Sequence, residues 1–156
     1  MFKITIIAVG SLKESWWKEA QAEFLRRLSP FAKVDVQEID AEPFGGAVTA
    51  EQSMRLEGAR ILKRLPADGY VIALERTGKT VSSPEFARLL DEEGGTGTTL
   101  VIIVGGAAGL DPAVLAEAGK KVSMSAMTFT HEMARVFLLE QLYRAMTILA
   151  GKAYHL

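Results

Sequence analysis

The stretch "LVIIVGGAAGLDPAVLAEAGKKVSMS", Leu100 to Ser125, decides the class of the fold. Leu100–Val104 is apolar and largely β-branched, which predicts a strand buried on both faces. Asp111 followed by Pro112 is a cap residue with a first-turn proline, so Pro112–Ala118 reads as a helix. A weaker strand pattern returns at Lys121–Ser125. Two strands joined by a crossover helix make the unit from which parallel sheets are built.

The same alternation runs outward in both directions. Lys3–Val9, Val34–Ile39 and Tyr70–Leu74 read as strands. Trp16–Leu28, Glu51–Leu65, Pro84–Asp91 and His131–Ala150 have helical spacing, and two starts carry capping chemistry: Thr49 lies three residues before Gln52, and Ser82 three before Glu85. The class is therefore α/β, a mostly parallel sheet with helices on both faces, in a single domain spanning residues 1–156. Ligands of such sheets bind beyond the C-terminal strand ends, which directs attention to the loops after Leu74, Val104 and Ser125.

Bulk properties narrow the chemistry. A chain of 156 residues, 49% hydrophobic, is the length of one domain with a real core. It has no cysteine, which excludes disulfide scaffolds, thiolate metal sites and thiol nucleophiles, and no metal is expected. No stretch approaches the ~20 apolar residues of a membrane span, so a soluble, cytoplasmic protein is expected. Eighteen basic against nineteen acidic residues give a formal charge of −1, which argues against nucleic-acid binding through a diffuse basic field.

Three loops and one helix carry chemistry. Gly105, Gly106 and Gly109 form either a tight strand-to-helix turn or a backbone against which a nucleoside can lie; no Lys-Ser/Thr follows, so a triphosphate is disfavoured. Glu75, Arg76 and Lys79 follow Leu74 as either a solvated charged turn or part of a site. "SMSAMTFT", Ser123 to Thr130, offers hydroxyl and backbone groups for an adenine edge and thioethers for its face. In the last helix His131, Arg135, Leu138 and Leu142 share a face, with Glu140 and Arg144 paired about opposite. A guanidinium among leucines needs an anionic or carbonyl partner, in a pocket, an interface or a structural ion pair. Gly151 can stop the helix and redirect the chain to Tyr154 and His155.

"KITIIAVGSLKE", "GGAAGL" and "SMSAMTFTHEMARVFLLEQLYRAMTILAGKAYH" together resemble the bacterial ribosomal RNA large-subunit pseudouridine N3-methyltransferases, small members of the SPOUT superfamily. The likeness runs nearly end to end, and the His-x-x-x-Arg, Glu-Gln-x-Tyr-Arg-Ala and Tyr-His elements in this order are its specific part. It implies a C-terminal trefoil knot, against the general rule that chains are unknotted. It also implies an S-adenosylmethionine site made by Leu74, Gly105, Met124, Ser125, Ala126, Met127, Thr128 and Phe129. Two positions depart from the family pattern: Thr130 stands where proline is common, and Leu156 where a basic residue often follows Tyr-His, removing one phosphate contact.

What the resemblance implies for activity is methylation of N3 of a pseudouridine in 23S ribosomal RNA, within the assembled ribosome. Arg135 is expected to stabilise the anion developing on the base carbonyls, His155 to orient the base or relay its proton, and Tyr154 to stack on or hydrogen-bond the nucleotide. His131 is left as a helix-start or interface group. A near-neutral single domain gains by docking a folded target through shape, and a homodimer is expected, joined through Val136, Phe137, Leu139, Leu142, Met146 and Leu149. The tail of one subunit then has the option of serving the other. The alternatives are a SPOUT enzyme acting on a transfer RNA ribose 2′-hydroxyl and a non-catalytic ribosome-associated module.

Overall fold

Ten elements alternate along the chain in a computed structural model that describes residues 1–155. They are β1 (Phe2–Val9), α1 (Ser15–Leu28), β2 (Ala32–Ile39), α2 (Ala50–Leu62), β3 (Gly69–Thr80), α3 (Ser83–Gly94), β4 (Thr99–Val104), α4 (Pro112–Glu117), β5 (Lys120–Ser123) and α5 (His131–Leu149). Every strand and helix expected from the alternation is present. The strands form one sheet in the order β2-β1-β4-β3-β5, with each neighbouring pair parallel. Leu156, and the expectation attached to it, lies outside the described residues.

Side-chain alternation divides the core into two layers. Ile4, Ile6, Leu100, Ile102 and Val104 face α1, α3 and α5, whereas Ile7, Val9, Val101 and Ile103 face α2 and α4. Thr49 and Ser82 each complete a capping box, with Gln52 and Glu85, and the Asp111 side chain accepts from Ala113 N. These caps fix where α2, α3 and α4 begin.

β3 does not end at Leu74. It continues to Thr80, and Leu74 and Lys79 both sit opposite Val122, so residues 75–78 bulge from the ladder before pairing resumes. Glu75, Arg76 and Lys79 therefore belong to an irregular strand rather than a turn. Gly78 allows the return, because a side chain there would begin 2.7 Å from the Lys121 carbonyl carbon.

α5 packs against both α1 and α3. That placement explains its apolar content: Leu138, Leu139, Leu142, Ala145 and Met146 are all buried within the chain. Leu139, Leu142 and Met146 are thus core residues and not the intermolecular surface expected of them. The apolar groups left outward on or beside this helix are Met127, Met133, Phe137 and Leu149.

Candidate active site

The bulge of β3 and the C-terminal ends of β4 and β5 open into one cleft of about 870 Å³. Leu74, Glu75, Arg76 and Thr77 form one side, the turn from Gly105 to Leu110 another, and Met124, Ser125, Met127, Thr128, Phe129 and His131 the third. This is the crevice in which open α/β sheets bind ligands, and its size suits a nucleoside-based molecule. Ser125 Oγ accepts from Met127 N, and Ser123 Oγ donates to Ser125 O, so the loop entering α5 is held by its own hydroxyls. Thr130 caps α5 by accepting from Met133 N, which supplies what a proline would otherwise fix at this start.

Seven of the eight residues expected to bind a cofactor line this cleft; Ala126 lies in the same loop but is not part of the lining. The glycines act differently from one another. Gly109 has φ +91°, the left-handed conformation that glycine favours. Gly105 is needed for closeness: a Cβ there would meet Leu110 at 3.0 Å, inside the turn rather than in the path of a ligand.

Arg135 is fully buried and is not part of the cleft lining. Its Nη1 pairs with Glu38 Oε1 at the end of β2, and Nη2 donates to Gly10 O at 2.7 Å. These two partners tie α5 to β1 and β2, while the Arg135 Nε is buried with no hydrogen-bond partner among the described residues. The structure thus places Arg135 in the interior, away from the cleft in which a reacting base was expected. We expect Glu38→Ala to cost about 1–3 kcal/mol, read as a lower denaturant midpoint, because it leaves a buried guanidinium with only a carbonyl partner.

Tyr154 and His155 sit at the other end of α5. Gly151, at φ +64°, ends the helix in a Schellman motif, with Lys152 N bonded to Thr147 O and Gly151 N to Ile148 O. The chain then turns back onto the helix. Tyr154 Oη donates to Glu140 Oε1 at 3.2 Å, its ring meets Tyr143 edge-on at 4.7 Å, and the Arg144 guanidinium lies 4.8 Å from its centroid. Arg144 also pairs with Glu140 at 2.7 Å and approaches His155 Nδ1 at 3.4 Å. Burial, followed by the Glu140 carboxylate, raises the Tyr154 hydroxyl's pKa, so it holds its proton.

Ala134, the last α5 residue to line the cleft, lies ten residues before Arg144, about 15 Å at 1.5 Å per residue. Two polar centres therefore exist within one chain, one at each end of α5. Sequence reasoning found the tail but missed that Arg144, rather than Arg135, accompanies it. Glu38, Gly10 and Glu57 also went unnoticed, because nothing local in the sequence marks them.

Residues 2–155 match the family described as "Predicted SPOUT methyltransferase". The chain is also 43% identical, over 98% of its length and 99% of the relative's, to a protein of Carboxydothermus hydrogenoformans named "Ribosomal RNA large subunit methyltransferase H".

Proposed function

The chain belongs to the SPOUT methyltransferase family, and from that premise we propose that it methylates N3 of a pseudouridine in 23S ribosomal RNA, on the assembled ribosome, with S-adenosylmethionine as donor. The observation that carries the reading is the near end-to-end similarity to a large-subunit ribosomal RNA methyltransferase. The cleft supports it: glycine backbone on one side, thioethers and hydroxyls on another, and room for a nucleoside. S-adenosylmethionine supplies a methyl group activated by the sulfonium that carries it. Leu74, Met124 and Met127 would pack against its rings, while the Gly105–Gly109 turn and Ser125 would read its polar edges.

Transfer makes further demands at the reacting base. The N3 proton would leave to solvent water, the charge so formed on the flanking carbonyls would have to be stabilised, and N3 would take the methyl carbon as its bond to sulfur breaks, leaving the neutral thioether. Tyr154, Arg144 and His155 suit that work. The Arg144 guanidinium can only donate, so His155 accepts at Nδ1 and carries its proton on Nε2. In that tautomer His155 hydrogen-bonds a base carbonyl, which favours orienting the base over taking its proton.

Because Arg144 lies about 15 Å along α5 from Ala134, the last of its residues to line the cleft of the same chain, the reading includes a homodimer in which the tail of one copy completes the cleft of the other. Met133 and Phe137, exposed on the same face of α5 as Glu140 and Arg144, supply apolar surface for such an interface. The test of the whole is incubation with labelled S-adenosylmethionine and ribosomes lacking the modification, followed by mapping of the methylated nucleotide. Label on N3 of a pseudouridine in 23S ribosomal RNA is expected. Label on a transfer RNA ribose, or none, overturns the reading.

A further inference from the structure

Beneath the glycine turn lies a carboxyl group that the mechanism above leaves unused. Glu57 of α2 is 3% exposed; its Oε1 accepts from Glu42 N at 3.0 Å, and its Oε2 is buried with no partner among the described residues. A Cβ on Gly106 would lie 2.9 Å from that free oxygen and 3.0 Å from Oε1. The carboxyl is therefore seated against the α-carbon of Gly106, a residue that lines the cleft.

The charges around Glu57 do not cancel it. Arg60, one turn further along α2, is taken by Glu42 Oε2 at 2.6 Å and by Asp40 O at 2.8 Å, which makes a neutral pair of Arg60 and Glu42. Ser53 Oγ donates to Glu42 O, so Glu42 is gripped at its amide, carbonyl and side chain by three residues on one face of α2. His131, across the cleft entrance, is charged only when protonated. When ionised, Glu57 is thus a surplus negative charge in a low-dielectric wall, where its field reaches further than it would in water.

We propose that Glu57 is a specificity-determining residue that acts through space, favouring the cationic methyl donor in the cleft over the neutral thioether product. The inference rests on the donor reading above. S-adenosylmethionine and S-adenosylhomocysteine share every other charge, so a difference in their binding isolates the sulfonium. A buried charge of this kind helps the product leave after transfer, because the attraction vanishes as the sulfur loses its charge.

Burial raises the Glu57 carboxyl's pKa, while the Glu42 amide, Arg60 and His131 favour its ionised form and the Glu42 carboxylate opposes it. Preference for the donor should accordingly weaken on acidification, as Glu57 gains a proton. Comparison of wild type with Glu57→Gln shows how much of that dependence needs the Glu57 carboxyl. The carboxamide introduced by Glu57→Gln keeps an oxygen for the Glu42 amide and therefore the loop anchor.

Calorimetry of the full chain with each ligand, at neutral pH and through the carboxylate range, tests this. The preference for S-adenosylmethionine over S-adenosylhomocysteine should fall about tenfold in Glu57→Gln, and its pH dependence should be shallower than in wild type. An unchanged preference in Glu57→Gln overturns the proposal. If that variant does not fold, the wild-type profile carries the test, and a preference flat across the carboxylate range overturns it. Failure of both ligands to bind sinks the donor reading itself, whereas equal preference in the two proteins sinks only the role of Glu57.

Discussion

Deletion of Tyr154, His155 and Leu156 is expected to lower methyl transfer to ribosomes by about 10²–10⁴-fold, the range for losing positioned hydrogen-bond donors and acid–base groups. Donor affinity should stay near wild type, because the tail cluster is built on Glu140, Tyr143 and Arg144, not on the cleft. His155→Ala should reproduce most of the loss without changing dimer mass in sedimentation. Unchanged turnover after deletion would make Tyr154 and His155 a packed end of α5 with no part in the chemistry.

Gly106→Val is expected to weaken donor binding by about two orders of magnitude, near 3 kcal/mol, while far-ultraviolet circular dichroism shows the fold retained. Its Cβ would meet Glu57 Oε2 and Val9 Cγ1, both at 2.9 Å. Neither neighbour has room to move in a packed interior, so the turn must shift. Calorimetry with S-adenosylmethionine measures the effect, and wild-type affinity would show that the turn does not contact the donor. This variant also resolves how the two centres cooperate. Mixed with the tail-deleted chain, it should recover about a quarter of wild-type activity, since half of randomly mixed dimers hold one complete site of two. Verified heterodimers with no recovered activity would place tail and cleft in the service of the same chain.

What could be read from the sequence was the part governed by local rules. Apolar runs marked the strands, and Thr49, Ser82 and Asp111 marked helix starts that the structure reproduces through side-chain hydrogen bonds. The loops after Leu74, Val104 and Ser125 followed from the sheet alone and do meet in one cleft. The extension of β3 was not legible: Glu75–Thr80 has no strand pattern and pairs only because Gly78 can lie against the backbone of Lys121. Arg135 could be recognised as needing a partner, but the partner was 97 residues away. Spacing on a helix says which residues share a face, and not whether that face meets a cleft or a core. For the same reason Glu57 reads as an ordinary surface glutamate of an amphipathic helix.

The contact between Arg135 and Glu38 bears on how the chain reaches its native state. β1, β4 and α1 present apolar faces that α5, which follows all of them in sequence, covers. Until α5 has left the ribosome, Ile4, Ile6, Leu100 and Ile102 lack their cover, and the Glu38 carboxylate lacks the cation that pairs with it. Folding must then proceed through contacts distant in sequence and a wholly parallel sheet, both of which slow it. During that interval the nascent protein displays sticky strands. Sheet strands that stay uncovered until α5 docks are the consequence of a covering helix that follows the whole sheet in sequence.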